Sequence, residues 1–123
     1  MDQSLTDSQG APVSVELDEP GQAYVIKDAA GTEAGRAHYL PGPNDSERIF
    51  YHTVVDSAFG GRGFSKVLVA QALADSRESG ITVIPVCPLF VKKLNETGDD
   101  YRAQGGRFRE PTREDMAIVR KSA

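Results

Sequence analysis

An α+β domain, an antiparallel meander followed by a βαβ unit, is the fold class this sequence predicts. Three observations carry that expectation. Four β-prone runs separated by turn residues fill positions 13–55; an apolar helical period takes over from Phe64 to Ser79; and a short, almost continuous apolar run, "ITVIPV", follows that helix. A chain of 123 residues has room for one core and little more, so these elements belong to a single unit.

Residues 1–12, "MDQSLTDSQGAP", show no periodicity and are rich in Ser, Asp, Gln and Gly, the composition of a disordered terminus outside the fold. From Val13 "VSVEL" alternates, "DEPGQ" turns, "AYVIKD" extends and "AAGTE" turns again, which makes a first hairpin. "AGRAHYL" and "RIFYHTVV" add two more strands, joined by the loop "PGPNDSE". Phe64, Val67, Leu68 and Ala72 then recur at helical spacing, and Val69, Ala70, Leu73 and Ala74 widen the apolar face, so this helix is buried on a broad side. Gly80 stands where a helix C-terminal glycine belongs, and "ITVIPV" has the pattern of a covered parallel strand. Pro85 cannot donate to a ladder, which places this strand either at an edge or where it parts from its neighbour. "LFVKKLNETGDDY" starts a helix near Leu89 that should be lost by Gly98. In the segment 102–123, Thr112 is a candidate N-cap with Asp115 three residues on, so that segment is either a short terminal helix or a flexible basic extension.

The formal charge is -4, with Lys+Arg 14 against Asp+Glu 18, and gives no overall field for a polyanion, so no nucleic-acid partner is expected. The charge is uneven: residues 102–123 carry six basic and three acidic side chains, an acidic body followed by a basic tail. The one cysteine, Cys87, excludes an internal disulfide framework, and no apolar stretch resembles a signal peptide or a membrane span. A soluble, cytoplasmic chain without a membrane partner is the expectation.

The most informative stretch is "FGGRGFSKVLVAQAL", three glycines and an arginine directly ahead of a helix. In a βαβ unit ligands favour the carboxyl ends of the strands, and this loop sits between such an end and a helix N-terminus. Orphan N–H groups and the positive end of the helix dipole suit an anion there, and glycine lets a phosphate or pyrophosphate approach the backbone. Arg62 in the loop and Lys66 in the first turn can add charge-assisted bonds. The alternative is a loop that merely turns sharply between strand and helix. Neither GxxxxGK[ST] nor GxGxxG is present, so a P-loop NTPase and a dinucleotide-binding unit are both unsupported.

"HTVVDSAFGGRGFSKVLVAQAL", followed by "VIPVCPLFVKKL" and "DDY", resembles the small single-domain proteins of the YjdJ type in the GNAT superfamily of N-acetyltransferases. The resemblance covers Val13 to Tyr101 in architecture, the domain expected at 13–101, and is specific from His52 to Tyr101. It implies the GNAT (acyl-CoA N-acyltransferase) fold, in which the meander leads into a βαβ unit with splayed parallel strands, and it accounts for Pro85 as the point of parting. It implies acetyl-CoA as co-substrate. A Q/R-x-x-G-x-G/A loop cradles the pyrophosphate in that superfamily, which puts Gly61, Arg62, Gly63 and Phe64 at the phosphates and Ser65 at the last position, with Lys66 beside them; Gly60 departs from the pattern at the first. Thr53, Val54 and Val55 would pair with the pantetheine arm through backbone groups. Leu94 stands where relatives often carry a tyrosine, and Tyr101 matches no obvious catalytic tyrosine.

Amine acetylation needs a deprotonated amine, a donor for the developing oxyanion and a proton for the departing thiolate. Cys87, at the carboxyl end of the second splayed strand, can accept the acetyl group as a thiolate or protonate the leaving group as a thiol; the alternative is a buried, inert cysteine. His52 precedes the loop and is the candidate general base, with His38 opposite or diagonal to it on the neighbouring strand. The bland alternative for both is a half-exposed strand histidine. The expected reaction is acetyl transfer to an amine acceptor, a protein or peptide amine suiting an open cleft. Two rivals remain, a non-catalytic coenzyme-A-binding sensor or interaction module and a small structural adaptor.

Overall fold

A computed structural model describes residues 5–122, and the disorder expected for residues 1–4 lies outside that range. Seven strands form one sheet in sequence order: β1 (Leu5–Thr6), β2 (Pro12–Asp18), β3 (Ala23–Lys27), β4 (Glu33–Pro41), β5 (Glu47–Val55), β6 (Thr82–Pro85) and β7 (Arg107–Phe108). β1 to β5 pair antiparallel, whereas β5, β6 and β7 run parallel, with α1 (Phe64–Glu78) and α2 (Pro88–Ala103) as the crossovers. A last helix, α3 (Arg113–Ser122), lies against β5. The α+β architecture and its meander and βαβ unit are as the period change at residue 64 implies.

Alternation sorts the strands into two faces. Tyr24, Ile26, Ala37, Tyr39 and Phe50 share a cluster with Phe64, Leu68 and Ala72 of α1 and Phe90 and Leu94 of α2, so this face forms the core. Phe50 and Phe90 stack with centroids 4.5 Å apart, a pairing worth about 0.5–1.5 kcal/mol beyond the area buried. A part-buried polar chain links this face to α1: Arg48 donates to the Tyr24 hydroxyl at 2.8 Å, and that hydroxyl donates to Asp75 of α1 at 2.5 Å. On the other face lie Arg36, His38, His52 and Val54, and Val54 is 47% exposed.

Two segments differ from the sequence expectation, and a third, residues 102–123, takes the terminal helix of its two alternatives. Residues 5–12, expected to be disordered, form β1 and a turn onto β2, because the buried Asp7 carboxylate collects the N–H groups of Gln9 and Ala11 at 2.8 and 2.9 Å. α2 continues past Gly98 to Ala103, because glycine is what packing against Phe108 requires: a Cβ there would stand 2.8 Å from the Phe108 ring. The tail is folded, and α3 starts with the reciprocal cap its sequence suggests, Thr112 N–H donating to Asp115 Oδ2 at 2.7 Å and Asp115 N–H to Thr112 Oγ1 at 3.3 Å.

Candidate functional site

β5 and β6 pair from Glu47↔Thr82 to Phe50↔Pro85 and then part. A proline at the last pair removes the donor that would continue the ladder. At the apex the Phe50 carbonyl accepts two bonds, from Val86 N–H at 2.9 Å and Cys87 N–H at 2.8 Å, while β5 runs on to Val55 with no strand partner on that side among the described residues. The strands therefore splay as expected. Register shifts at the same level of β5, where His38 faces His52 but Tyr39 faces Phe50, so Tyr51 is an extra, bulged residue. No periodicity in "RIFYHTVV" announces that bulge.

Cys87 stands at the mouth of the gap as the N-cap residue of α2, 4% exposed, and its Sγ lies 3.4 Å from the Thr53 hydroxyl across the gap. Thr53 shares the core face with its register partner Ala37, whereas His52 and its partner His38 point to the open face. The two imidazoles stack at 6.1 Å with planes 17° apart, so of the opposite and diagonal arrangements the sequence allows the structure has the first. Burial, aided by the proximity of His52 and Arg36, pulls His38 below the usual histidine range, so it favours the neutral imidazole. Cys87 and His52 thus flank the gap from opposite faces of β5.

Beyond β5 a one-turn 3-10 segment, Ser57–Phe59, leads into the glycine loop. Gly61 and Gly63 both have positive φ, 77° and 72°, which glycine adopts without strain, and Gly63 is the N-cap of α1 with no side-chain cap. The first-turn N–H groups of α1 therefore keep their orphan character. The Phe64 side chain is buried and packs under the loop against the Phe59 ring, so it is the Phe64 backbone that can meet a phosphate. Arg62 is already paired: its Nε and Nη2 lie 3.0 and 2.9 Å from Asp7 Oδ2, and its guanidinium sits over the rings of Phe59 and Phe64. Lys66 lines a groove of about 290 Å³ with Ser65 and Val69 of α1 and Leu89, Lys92, Lys93 and Glu96 of α2, three lysines against one glutamate. Lys92 and Lys93 belong to no motif in the sequence; the signal for them is their place in the first turns of a helix that starts at the gap.

Tyr101 is taken up by structure. Its hydroxyl donates to the Leu73 carbonyl at 2.8 Å, and burial pushes its pKa up to about 12. Leu94 is a core residue. A larger groove of about 630 Å³ between α2 and β7 is lined by Glu96, Asp99, Asp100 and Glu110 and lies away from the splay. Among the described residues no cluster of three or more His, Cys, Asp or Glu is arranged to hold a metal ion, and no helix is long and apolar enough to cross a membrane.

A splay of parallel strands beside a glycine-loop helix is the geometry that comparison with known proteins explains. Residues 23–104 match the family model of the GCN5-related N-acetyl-transferases. The chain belongs to this family. Its fold is shared with a GCN5-like protein of Staphylococcus aureus solved by NMR, at 22% identity and a TM-score of 0.52, over 81% of this chain and 91% of that one. A GNAT-family acetyltransferase from Listeria monocytogenes, solved at 1.46 Å, aligns at 20% identity and a TM-score of 0.49, over 78% of this chain and 62% of that one. No curated protein matches significantly. For this GNAT chain the family covers β3 through α2, which includes the splay, the loop and Cys87, and leaves Asp7 and α3 outside.

Proposed function

We propose that this GNAT protein binds acetyl-CoA across the splay and transfers the acetyl group to an amine. The observation that carries the reading is the unpaired edge of β5 from Tyr51 to Val55, which offers backbone groups to an extended pantetheine arm beside a glycine loop suited to its pyrophosphate. Thr53, Val54 and Val55 line the arm; Gly61, Arg62, Gly63, Phe64, Ser65 and Lys66 make up the phosphate end, with Arg62 acting through the loop rather than as a free cation. Lys92 and Lys93, across the groove from Lys66, add positive charge where a phosphorylated ligand would leave the gap.

The neutral amine attacks the thioester carbonyl from the open face, where the exposed His52 takes its proton. The carbon–sulfur bond breaks, and the Cys87 thiol, held by the Thr53 hydroxyl, protonates the coenzyme thiolate. The sheet face that carries the exposed His52 and Val54 fits the amine of a protein or peptide better than an enclosed metabolite.

The test is intact-protein mass spectrometry after incubation with acetyl-CoA, together with a thermal shift on adding coenzyme A, for the wild type and Cys87→Ala. Stabilisation by coenzyme A and amine-dependent release of free thiol are expected, both without acetylation of Cys87. An acetyl adduct lost in Cys87→Ala would replace thiol protonation by a relay through that cysteine. Binding without turnover on any amine would mark a coenzyme-binding sensor or interaction module, and no thermal shift would remove the coenzyme from the account.

A further inference from the structure

The segment Leu5–Ala11 lies outside the family-matched region, yet it is bound to the one loop on which the coenzyme reading depends. We infer that Asp7 and Ser8 are positioning residues for that site: they lock the Arg62–Gly63 peptide so that the Gly63 N–H is presented to the pyrophosphate. The inference rests on the function proposed above.

Two contacts make the lock. Ser8 N–H donates to the Arg62 carbonyl at 2.9 Å, and Asp7, whose side chain is 0% exposed, holds the Arg62 guanidinium through Oδ2. The Arg62 carbonyl and the Gly63 N–H belong to one planar trans peptide, so they point in opposite directions. Fixing the carbonyl on the N-terminal segment therefore fixes the Gly63 N–H away from that segment, at the N-cap of α1. The N–H groups of Phe59 and Gly60 are spent on Asp56 and Ser57, whereas those of Gly61, Arg62 and Gly63 donate to no backbone acceptor among the described residues. A loop with two glycines at positive φ is otherwise free to rotate this peptide. Ordering it before the ligand arrives lowers the entropic cost of binding.

The segment is itself tightly organised. β1 is paired to β2, a turn closes through Gly10 N–H to the Asp7 carbonyl at 3.1 Å, and Asp7 Oδ1 accepts from Gln9 and Ala11. Burial disfavours the Asp7 carboxylate, but the Ala11 and Gln9 N–H groups and Arg62 outweigh it and keep its pKa below the ordinary value. The anchor is therefore charged at neutral pH.

The experiment compares the affinities of coenzyme A and of pantetheine, which has the same arm without the phosphates, by NMR titration of the wild type, Asp7→Asn and Ser8→Pro. Ser8 is the second residue of the Asp7–Gly10 turn, where proline is favoured, so Ser8→Pro deletes the N–H to Arg62 while sparing the turn; it decides the matter if Asp7→Asn fails to fold. The expected result is an affinity for coenzyme A about tenfold weaker in each folded variant, the scale of one well-placed hydrogen bond, with pantetheine affinity unchanged. Unchanged coenzyme A affinity, or equal weakening of both ligands, would overturn the inference while leaving the coenzyme reading intact. A wild type that binds no coenzyme A would overturn both.

Discussion

Two carboxylates with fully buried side chains, Asp7 and Asp115, hold the first and last described segments against the rest of the fold by gripping an arginine. Their chemistry is nearly the same. Asp115 receives Arg109 at 2.7 and 3.0 Å and the Thr112 N–H at 2.7 Å, and Arg109 reaches on to Glu47 at 3.0 Å, which ties α3 to the start of β5. Asp7 receives Arg62 and two N–H groups in the same way. Their surroundings differ: Arg109 stands beside the closed, paired half of β5, whereas Arg62 stands in the loop at the far end of the splay. An ion pair of one design thus serves stability where the backbone around it is already paired, and presentation of donors where the backbone is not.

Breaking the C-terminal grip should have the largest effect on stability. Asp115→Ala leaves Arg109 half served and removes the α3 cap, and should cost about 3 kcal/mol in a denaturant titration, with coenzyme A affinity retained. Loss of coenzyme affinity in step with stability would erase the distinction between the two grips. Asp7→Asn should show the converse in the same pair of measurements, with the coenzyme effect exceeding the change in unfolding midpoint. The double variant Asp7→Asn/Asp115→Ala should be additive in stability, since the two grips share no residue.

Acid should undo both grips together. The Asp7, Glu47 and Asp115 carboxyls all lie below their ordinary values, Glu47 and Asp115 chiefly through hydrogen bonds from Arg109 and Asp7 through its backbone donors and Arg62. A depressed carboxylate contributes stability above its unfolded pKa of about 4 and loses it as pH falls through the folded value. Unfolding midpoints should therefore be flat from pH 7 to about 5 and fall below about 4, and Asp115→Ala should flatten that fall. The smallest effect belongs to the exposed pair of Glu16 and Lys27 on the hairpin: Lys27→Ala should change stability by less than about 1 kcal/mol, and less still at high salt. A larger loss would mean that ion pairs on the open face hold the meander together.

Much of this molecule was legible in the residues because local rules act over a few positions. Alternation marked the four strands of the meander within about two residues, the helical period marked α1, and the Thr112–Asp115 spacing marked the start of α3. Pro85 marked the parting of the strands because a missing N–H is a property of the residue itself. Of the candidate site, the same local rules give position alone: Cys87 follows β6, the glycine loop precedes α1, and His38 faces His52 as strand pairing allows. The bulge at Tyr51, the packing that lets α2 pass Gly98, and the two-residue strands β1 and β7 carry no local signature, since each depends on a partner distant in sequence.

By itself, then, the sequence determined the fold class, the family resemblance and the loop, because periodicity, proline and glycine act on their own backbone. Only the tertiary structure decided what Arg62 and Asp7 do. A cation in a glycine loop looks the same to its neighbours whether it waits for a phosphate or is already held by a carboxylate 55 residues away. Burial makes the difference, since an aspartate taken out of water must find its partner, and the fold brings Arg62 to it.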